Sequence, residues 1–240
     1  MLSEGTIIAL STPNGVGAIG VIRLSGNLAI EKTGLFIFPK NKKSCKNILP
    51  NTAFLADFIH KEQLIDEVLV TFFKGPNSYT GEDVVEISCH GSSYILQKII
   101  SCFLESKVLP AQAGEFTLRA YLNKKMDLSQ AEAVADIIAS ESEAAHRIAM
   151  QQMRGGFSKN MEELRQQLIQ FKALIELELD FSEEEVSFAN KDQLKGLLST
   201  LHNDIYMLKE SFLFGNVIKN GVPVAIAGKP NAGKSSLLNT

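Results

Sequence analysis

The sequence predicts an α+β domain, then an α-helical domain, then the first strand and phosphate-binding loop of a P-loop α/β domain. Three observations predict it. Short apolar runs with period-two alternation, separated by turn residues, occupy residues 1–120. From Asp127 the apolar residues recur at steps of three and four. The last stretch, from Val222, is an apolar run followed by Gly228-x-x-x-x-Gly233-Lys234-Ser235. The expected divisions are 1–120, 121–216 and 217–240.

Within the first division, Thr6–Leu10 and Ala18–Leu24 read as strands around the turn Thr12–Gly17. Ser25-Gly26-Asn27 precedes a short helix, Leu28–Thr33, and Lys40–Ser44 reads as a solvated loop. Thr52–Ile59 and Leu64–Phe73 flank the polar His60-Lys-Glu-Gln63, which suggests a hairpin. After a turn at Gly75-Pro76-Asn77 comes the strand Val84–Cys89. Ser92 or Ser93 then caps a helix to about Glu105. Gly114–Leu122 is a short helix with Phe116, Ala120 and Tyr121 inward.

The second division opens on a capping-box pattern, Ser129-Gln-Ala-Glu132, and a long Ala-rich helix to Gln152. Gly155-Gly156 interrupts it. Phe157, Met161, Leu164, Leu168, Phe171 and Ile175 form one helical seam. Leu194, Leu198, Leu201, Ile205, Leu208 and Phe212 form another, after an acidic connector, Asp180–Asn190. Such stripes are ordinary core faces, and no catalysis is assigned to them. Gly215–Gly221 reads as the link to a buried strand, Val222–Ala227.

The chain is unremarkable in bulk. Hydrophobic content of 45% and charged content of 21% suit a soluble globular protein. A net charge of −3 gives no general basic field, which speaks against a free-standing nucleic-acid binder. Cys45, Cys89 and Cys102 are spaced for neither a zinc site nor a disulfide framework, so a reducing compartment is expected. Neither a signal peptide nor a spanning segment is visible, which gives a cytoplasmic expectation with no membrane partner.

The chemistry is clearest at the last stretch. Glycines let backbone N–H groups turn onto a polyanion, and a helix N-terminus faces the phosphates. The pattern puts Lys234 on the terminal phosphates and the Ser235 hydroxyl on Mg²⁺. The helix is expected from Ser236. One turn past the loop the sequence stops, so it reads as a fragment cut inside a nucleotide-binding domain. Upstream, Arg23 and Glu86 are charges inside otherwise apolar strands, Lys125 precedes a helix cap, and His90-Gly91 follows the Glu86 strand. Alternating strands turn such charges to solvent, and composition and spacing join none of these residues to another.

Six motifs taken together resemble the tRNA-modification GTPases of the MnmE/TrmE family. They are Gly20-Val-Ile-Arg-Leu-Ser-Gly26, Gly75-Pro-Asn-Ser-Tyr-Thr-Gly-Glu-Asp-Val-Val-Glu86, Ala113-Gly-Glu-Phe-Thr-Leu-Arg-Ala120, Met126-Asp-Leu-Ser-Gln-Ala-Glu-Ala133, Asp180-Phe-Ser-Glu-Glu-Glu-Val-Ser-Phe188 and Gly228–Asn239. The resemblance implies a folate-binding first domain like that of the glycine-cleavage T-protein, which also mediates homodimerisation. It implies a helical domain carrying a GTP-binding domain as an insertion. Family members work with an FAD-dependent partner, MnmG (GidA), on carbon 5 of the wobble uridine of tRNA. GTP hydrolysis is potassium-dependent.

By motif position, the resemblance implies that Glu86 accepts the donor edge of a reduced pterin, with Arg23 and Lys125 as folate-binding cations. The ligand is then 5-formyl- or methylene-tetrahydrofolate. Asn231 matches the potassium ligand, Lys234 the phosphate lysine and Ser235 the Mg²⁺ serine, with Ala232, Gly233 and Ser236 also at the GTP phosphates. The chain departs from the family pattern at three places. Val16 stands for a usual Arg, Gln112-Ala113 for Arg-Pro, and Ser92 for a second Gly. No catalytic residue for GTP hydrolysis is assigned within these 240 residues, and GTPase activity of the chain alone is not expected. Two other readings stay open: a stand-alone folate-dependent one-carbon transferase with a vestigial P-loop, and a dimerisation module without ligand.

Overall fold

The computed structural model describes residues 5–40, 49–180, 191–220, 224–229 and 232–238. It divides into two compact units, Met1–Ala131 and Glu132–Thr240. The first is α+β. Its strands are β1 (Ile7–Leu10), β2 (Ile19–Ser25), β3 (Ile37–Pro39), β4 (Ala53–His60), β5 (Gln63–Phe73), β6 (Val84–His90) and β7 (Leu109–Pro110). They form one sheet in the order β3-β4-β5-β6-β2-β1-β7. Neighbours run antiparallel except β1 and β7, which are parallel.

Strand alternation decides the two faces. Ile22 and Leu24 of β2, Val68 and Val70 of β5, and Val85 and Ile87 of β6 are fully buried on one side. Helix α2 (Ser93–Glu105) covers that side with Leu96, Ile99, Cys102 and Phe103. That spacing keeps the four on one helical stripe. Phe36, just past helix α1 (Ala29–Thr33), stacks on Phe58 at 5.5 Å and meets Phe103 edge-on at 5.0 Å. Each such side chain contributes about 1.5–3 kcal/mol of burial, which makes this layer the main support of the unit. The hairpin β4–β5 turns at Lys61 and Glu62, both with positive φ, as a two-residue turn matching the strand twist requires.

Helix α3 (Glu115–Leu122) starts at Gly114, whose φ of 76° only glycine adopts freely. Its inward residues are Glu115, Arg119 and Ala120; Tyr121 is exposed and Phe116 half-buried. The expected inward Tyr121 is thus corrected. The buried charges find each other, so the phenol is free to face water.

The long Ala-rich helix is two helices, α4 (Leu128–Ala139) and α5 (Glu143–Met153). The first stops at Ala139, and Ser142 caps the second, its hydroxyl accepting from Ala145 N. The capping box at the start of α4 is also two residues earlier than expected. Asp127 Oδ1 accepts from Gln130 N, and Gln130 Oε1 accepts from Asp127 N, so the reciprocal pair is Asp127/Gln130 rather than Ser129/Glu132.

In the second unit α6 (Gly156–Asp180) packs on α5 and on α7 (Lys191–Asn220). The seams are only partly covered: Leu201 is buried, while Phe157, Leu168, Leu198 and Ile205 are exposed. Helix α7 runs through Gly215, where a linker was expected; one helical glycine costs about 1 kcal/mol, which a long helix tolerates. The acidic connector 181–190 lies outside the described residues, as do 41–48. The expected strand Val222–Ala227 is not formed over its described part. Residues 224–228 carry no strand pairing, and Val224 is 80% exposed. A strand needs a neighbour to take its backbone groups, and among the described residues none lies alongside. Helix α8 (Lys234–Leu238) begins at Lys234, two residues earlier than expected.

Candidate functional site

Arg23 and Glu86 face each other across β2 and β6, in direct register. Their neighbours Ile22, Leu24, Val85 and Ile87 point into the core, so both charges lie on the opposite face of the sheet. The guanidinium donates to Glu86 Oε1 from Nε at 2.9 Å and from Nη2 at 2.6 Å. Both side chains are about a quarter to a third exposed, at 27% and 30%. Glu86 is therefore not the open acceptor that the sequence suggested. Its Oε1 is held by the cation directly opposite on the neighbouring strand, 63 residues away in sequence.

Two aromatic rings flank the pair. The Arg23 guanidinium lies over Tyr79 at 5.4 Å and over Phe116 at 5.7 Å from the ring centroids. Tyr79 belongs to the 74–83 connection between β5 and β6, and Phe116 to α3. The Tyr79 hydroxyl and Thr117 Oγ1 are 2.9 Å apart, which joins connection to helix.

Lys125 reaches the same connection from the other end: its Nζ donates to the Pro76 carbonyl at 2.9 Å. Asn123 Nδ2 adds a bond to the Thr80 carbonyl at 2.7 Å. The structure thus joins Arg23 to Glu86 directly, and Lys125 to them through the 76–79 backbone.

Beneath the connection lies a charged network that the sequence did not reveal. Arg119 donates to both oxygens of Glu82 at 3.1 Å, to the Gly5 carbonyl at 3.0 Å and to Glu115 Oε1 at 3.1 Å. Glu115 Oε2 takes the Gln112 N–H at 2.8 Å, and Ser25 Oγ donates to Glu82 Oε2 at 2.7 Å. Ser25 also pairs with fully buried Thr80 at 2.7 Å. Buried charges are tolerated when paired and hydrogen-bonded in this way. The network clamps β2, the 74–83 connection and α3 into one block. Its sequence signal was only an i,i+4 Glu/Arg pair on a short helix, which is usually a surface pair.

A second buried carboxylate, Asp66, accepts from the His90 backbone N–H at 2.8 Å and pairs with His90 Nδ1 at 2.7 Å. His90 is thus a hydrogen-bonded strand-end residue with an exposed ring. Next to it, burial, with Asp66 adding to it, pushes the Cys89 thiol up to about 11, and burial also raises Cys102. Both are inert structural cysteines. Of the departing positions, Val16 is exposed, Gln112 caps Glu115 through its backbone, and Ser92 is the helix N-cap residue without a side-chain bond.

At the other candidate site, Gly233 has a φ of 81° and precedes α8. Lys234 Nζ donates to the loop's own carbonyls, Gly228 at 3.0 Å and Lys229 at 2.8 Å. Ala232, Ser235 and Ser236 are exposed on the loop and first turn; Asn231 lies outside the described residues. Among the described residues there is no cluster of three or more acidic, histidine or cysteine side chains suited to a metal ion. No described helix is long and apolar enough to cross a membrane.

The first unit is thus an α+β module with a cation–carboxylate pair beneath the 74–83 connection, and the second is helical and carries a glycine-rich Lys-Ser loop. A family model described as "GTP-binding protein TrmE N-terminus" matches residues 6–125, and one for the "MnmE helical domain" matches 128–224. The chain belongs to the MnmE/TrmE family of tRNA-modification GTPases. It is 55% identical over 239 residues to the tRNA modification GTPase MnmE of Christiangramia forsetii, covering 100% of this chain and 50% of that protein. To that of Flavobacterium johnsoniae it is 55% identical over 240 residues, covering 100% and 51%. The Bacteroides fragilis protein of the same name is 54% identical over 239 residues, covering 99% and 51%. The chain spans about half the length of these relatives.

Proposed function

We propose that this chain is the N-terminal portion of a GTPase that modifies carbon 5 of the wobble uridine of tRNA, using a tetrahydrofolate one-carbon donor. The observation that carries the reading is the facing Arg23–Glu86 pair on one sheet face, with Lys125 tied to the connection above it. A reduced pterin presents a fork of N–H donors that a carboxylate accepts in bidentate fashion. Glu86 supplies that carboxylate. Arg23 and Lys125 supply cations for the carbonyl and carboxylate groups of 5-formyl- or methylene-tetrahydrofolate. When bound, the folate supplies the one-carbon unit; the chain's part is to orient the ring and tail.

In the same reading the Gly228–Ser235 loop takes the phosphates of GTP. Lys234 exchanges its two loop carbonyls for phosphate oxygens, Ser235 ligates Mg²⁺, and Asn231 ligates K⁺. Ala232, Gly233 and Ser236 contribute N–H groups or hydroxyl. The protein acts in the cytoplasm as a homodimer through its N-terminal domain, with an FAD-dependent MnmG-type partner and tRNA. The names of the relatives lend nothing to a stand-alone one-carbon transferase.

Isothermal titration of the chain with 5-formyltetrahydrofolate tests the reading. Binding is expected, and Glu86→Ala is expected to weaken it more than tenfold. A charge-assisted hydrogen bond contributes about 1.5–3 kcal/mol, and each 1.4 kcal/mol is tenfold in affinity. An unchanged affinity in that variant would remove Glu86 from the site.

A further inference from the structure

We propose that Arg23 is a built-in surrogate for the ring that the site receives. On this view ligand binding is an exchange, in which the guanidinium gives up Glu86 and the two rings to the incoming heterocycle. The inference rests on the folate reading above and adds the step by which the site opens.

The geometry carries it. A guanidinium is a flat fork of N–H donors, and so is the donor edge of a 2-amino-4-oxo-pyrimidine ring. Both satisfy a carboxylate along an edge and an aromatic ring along a face. Arg23 does both at once: two bonds to Glu86 Oε1, with Tyr79 and Phe116 each within 5.7 Å of its central carbon. The carboxylate cannot serve Arg23 through Oε1 and a pterin edge through both oxygens together.

The walls stay while the filling changes. Tyr79 is bonded through its hydroxyl to Thr117, beside Phe116 on α3. The Glu82–Arg119–Glu115 network pins the connection and the helix that carry them. Arg23, by contrast, has a long side chain that is 27% exposed and free to swing outward. There it meets the later part of the ligand, whose carboxylates and carbonyls suit a cation. One arginine thus holds the slot closed and then holds the tail. Tyr79 and Phe116 become the residues that select for a flat ring.

The experiment uses the 240-residue chain and two probes, 5-formyltetrahydrofolate and 6-methylpterin, which is a ring without the tail. Arg23→Met is expected to bind 6-methylpterin several-fold better than the parent chain, since a competitor is gone. Phe116→Leu and Tyr79→Leu are each expected to bind it about three- to tenfold more weakly, the usual worth of an aromatic contact. As a check that needs no folded variant of the walls, the Arg23 Nε–H signal in a ¹⁵N spectrum, assigned by its loss in Arg23→Met, should shift on saturation with 5-formyltetrahydrofolate.

A more than tenfold loss of 6-methylpterin binding in Arg23→Met would make the guanidinium a ring contact, and no gain in that binding would already overturn the exchange. So would an unmoved Nε–H signal in the saturated complex. Unchanged ring affinity in both Leu variants would remove the walls. In each of these cases 5-formyltetrahydrofolate still binds and the folate reading stands. No binding of 5-formyltetrahydrofolate by the parent chain would instead end both.

Discussion

Replacing Arg119 with Met should cost the first unit about 3–5 kcal/mol. Arg119 is 7% exposed and holds Glu82, Glu115 and the Gly5 carbonyl together. Met keeps most of the volume and none of the donors. The two carboxylates then fare differently. The Glu82 side chain, 22% exposed, can turn toward water; that of Glu115, 4% exposed, cannot. Leaving a buried charge without its partner is worth about 3–5 kcal/mol, most of it desolvation rather than lost attraction. Against a total stability of about 5–15 kcal/mol, that is a large share. For a unit of this size it corresponds to a fall in Tm on the order of 10–20 °C.

The chain has no tryptophan, and three of its four tyrosines, Tyr79, Tyr94 and Tyr121, lie in the first unit. Thermal unfolding followed by tyrosine fluorescence therefore reports mainly on that unit. Adding Glu115→Gln to Arg119→Met should restore at least half of the loss. The amide can still accept the Gln112 N–H and no longer buries a charge. A fall of less than about 3 °C in the single variant, or no recovery in the double one, would refute the desolvation argument.

Other consequences can be checked separately. Native Cys89 should react with maleimide at pH 8 about a hundredfold more slowly than the unfolded chain at the same pH, since its thiol titrates at about 11; peptide mass spectrometry separates it from Cys45 and Cys102. Because that folded value lies above the unfolded one near 9, the thiol's contribution to stability is complete below pH 9 and lost as pH rises through about 11; urea titrations across that window should show a fall in stability that is smaller in Cys89→Ala. Gly91→Ala would place a Cβ 2.5 Å from the Gly17 carbonyl oxygen and should cost about 1–3 kcal/mol in the same unfolding assay, whereas a side chain at Gly114 meets nothing within 4 Å and is opposed only by its φ. Ser142→Ala should speed amide exchange over the first turn of α5 by the loss of about 0.5–2 kcal/mol of capping, leaving the first unit unchanged. GTP turnover by the chain is expected to be undetectable, so Lys234→Ala should change nothing in a phosphate-release assay; turnover lost on that substitution would contradict this.

Sequence patterns disclose structure where the pattern is local. The β4–β5 hairpin, the Val84 strand and the Gly155–Gly156 break were all legible, because alternation and turn residues act over a few positions. Arg23 and Glu86 were legible as residues through their motifs, but not as partners, because strand register is set by the whole sheet. Glu82, Glu115 and Arg119 were invisible for the same reason: a charge looks exposed until three segments close around it. The Ser142 break was written in Ser140-Glu-Ser142, a cluster outweighed by the alanines on either side. Val224–Ala227 shows the converse. Its residues favour a strand, yet pairing is a property of two segments, and the described structure places none beside it.

The margins of the seven-stranded sheet carry a last consequence. On one side the final strand is three residues long and ends in Pro39; on the other it is two residues long and ends in Pro110. A proline offers no N–H, and strands so brief leave little ladder for a foreign segment to copy. Zipper-like growth from either flank is thereby discouraged. Any association that this sheet supports has to be built side chain against side chain.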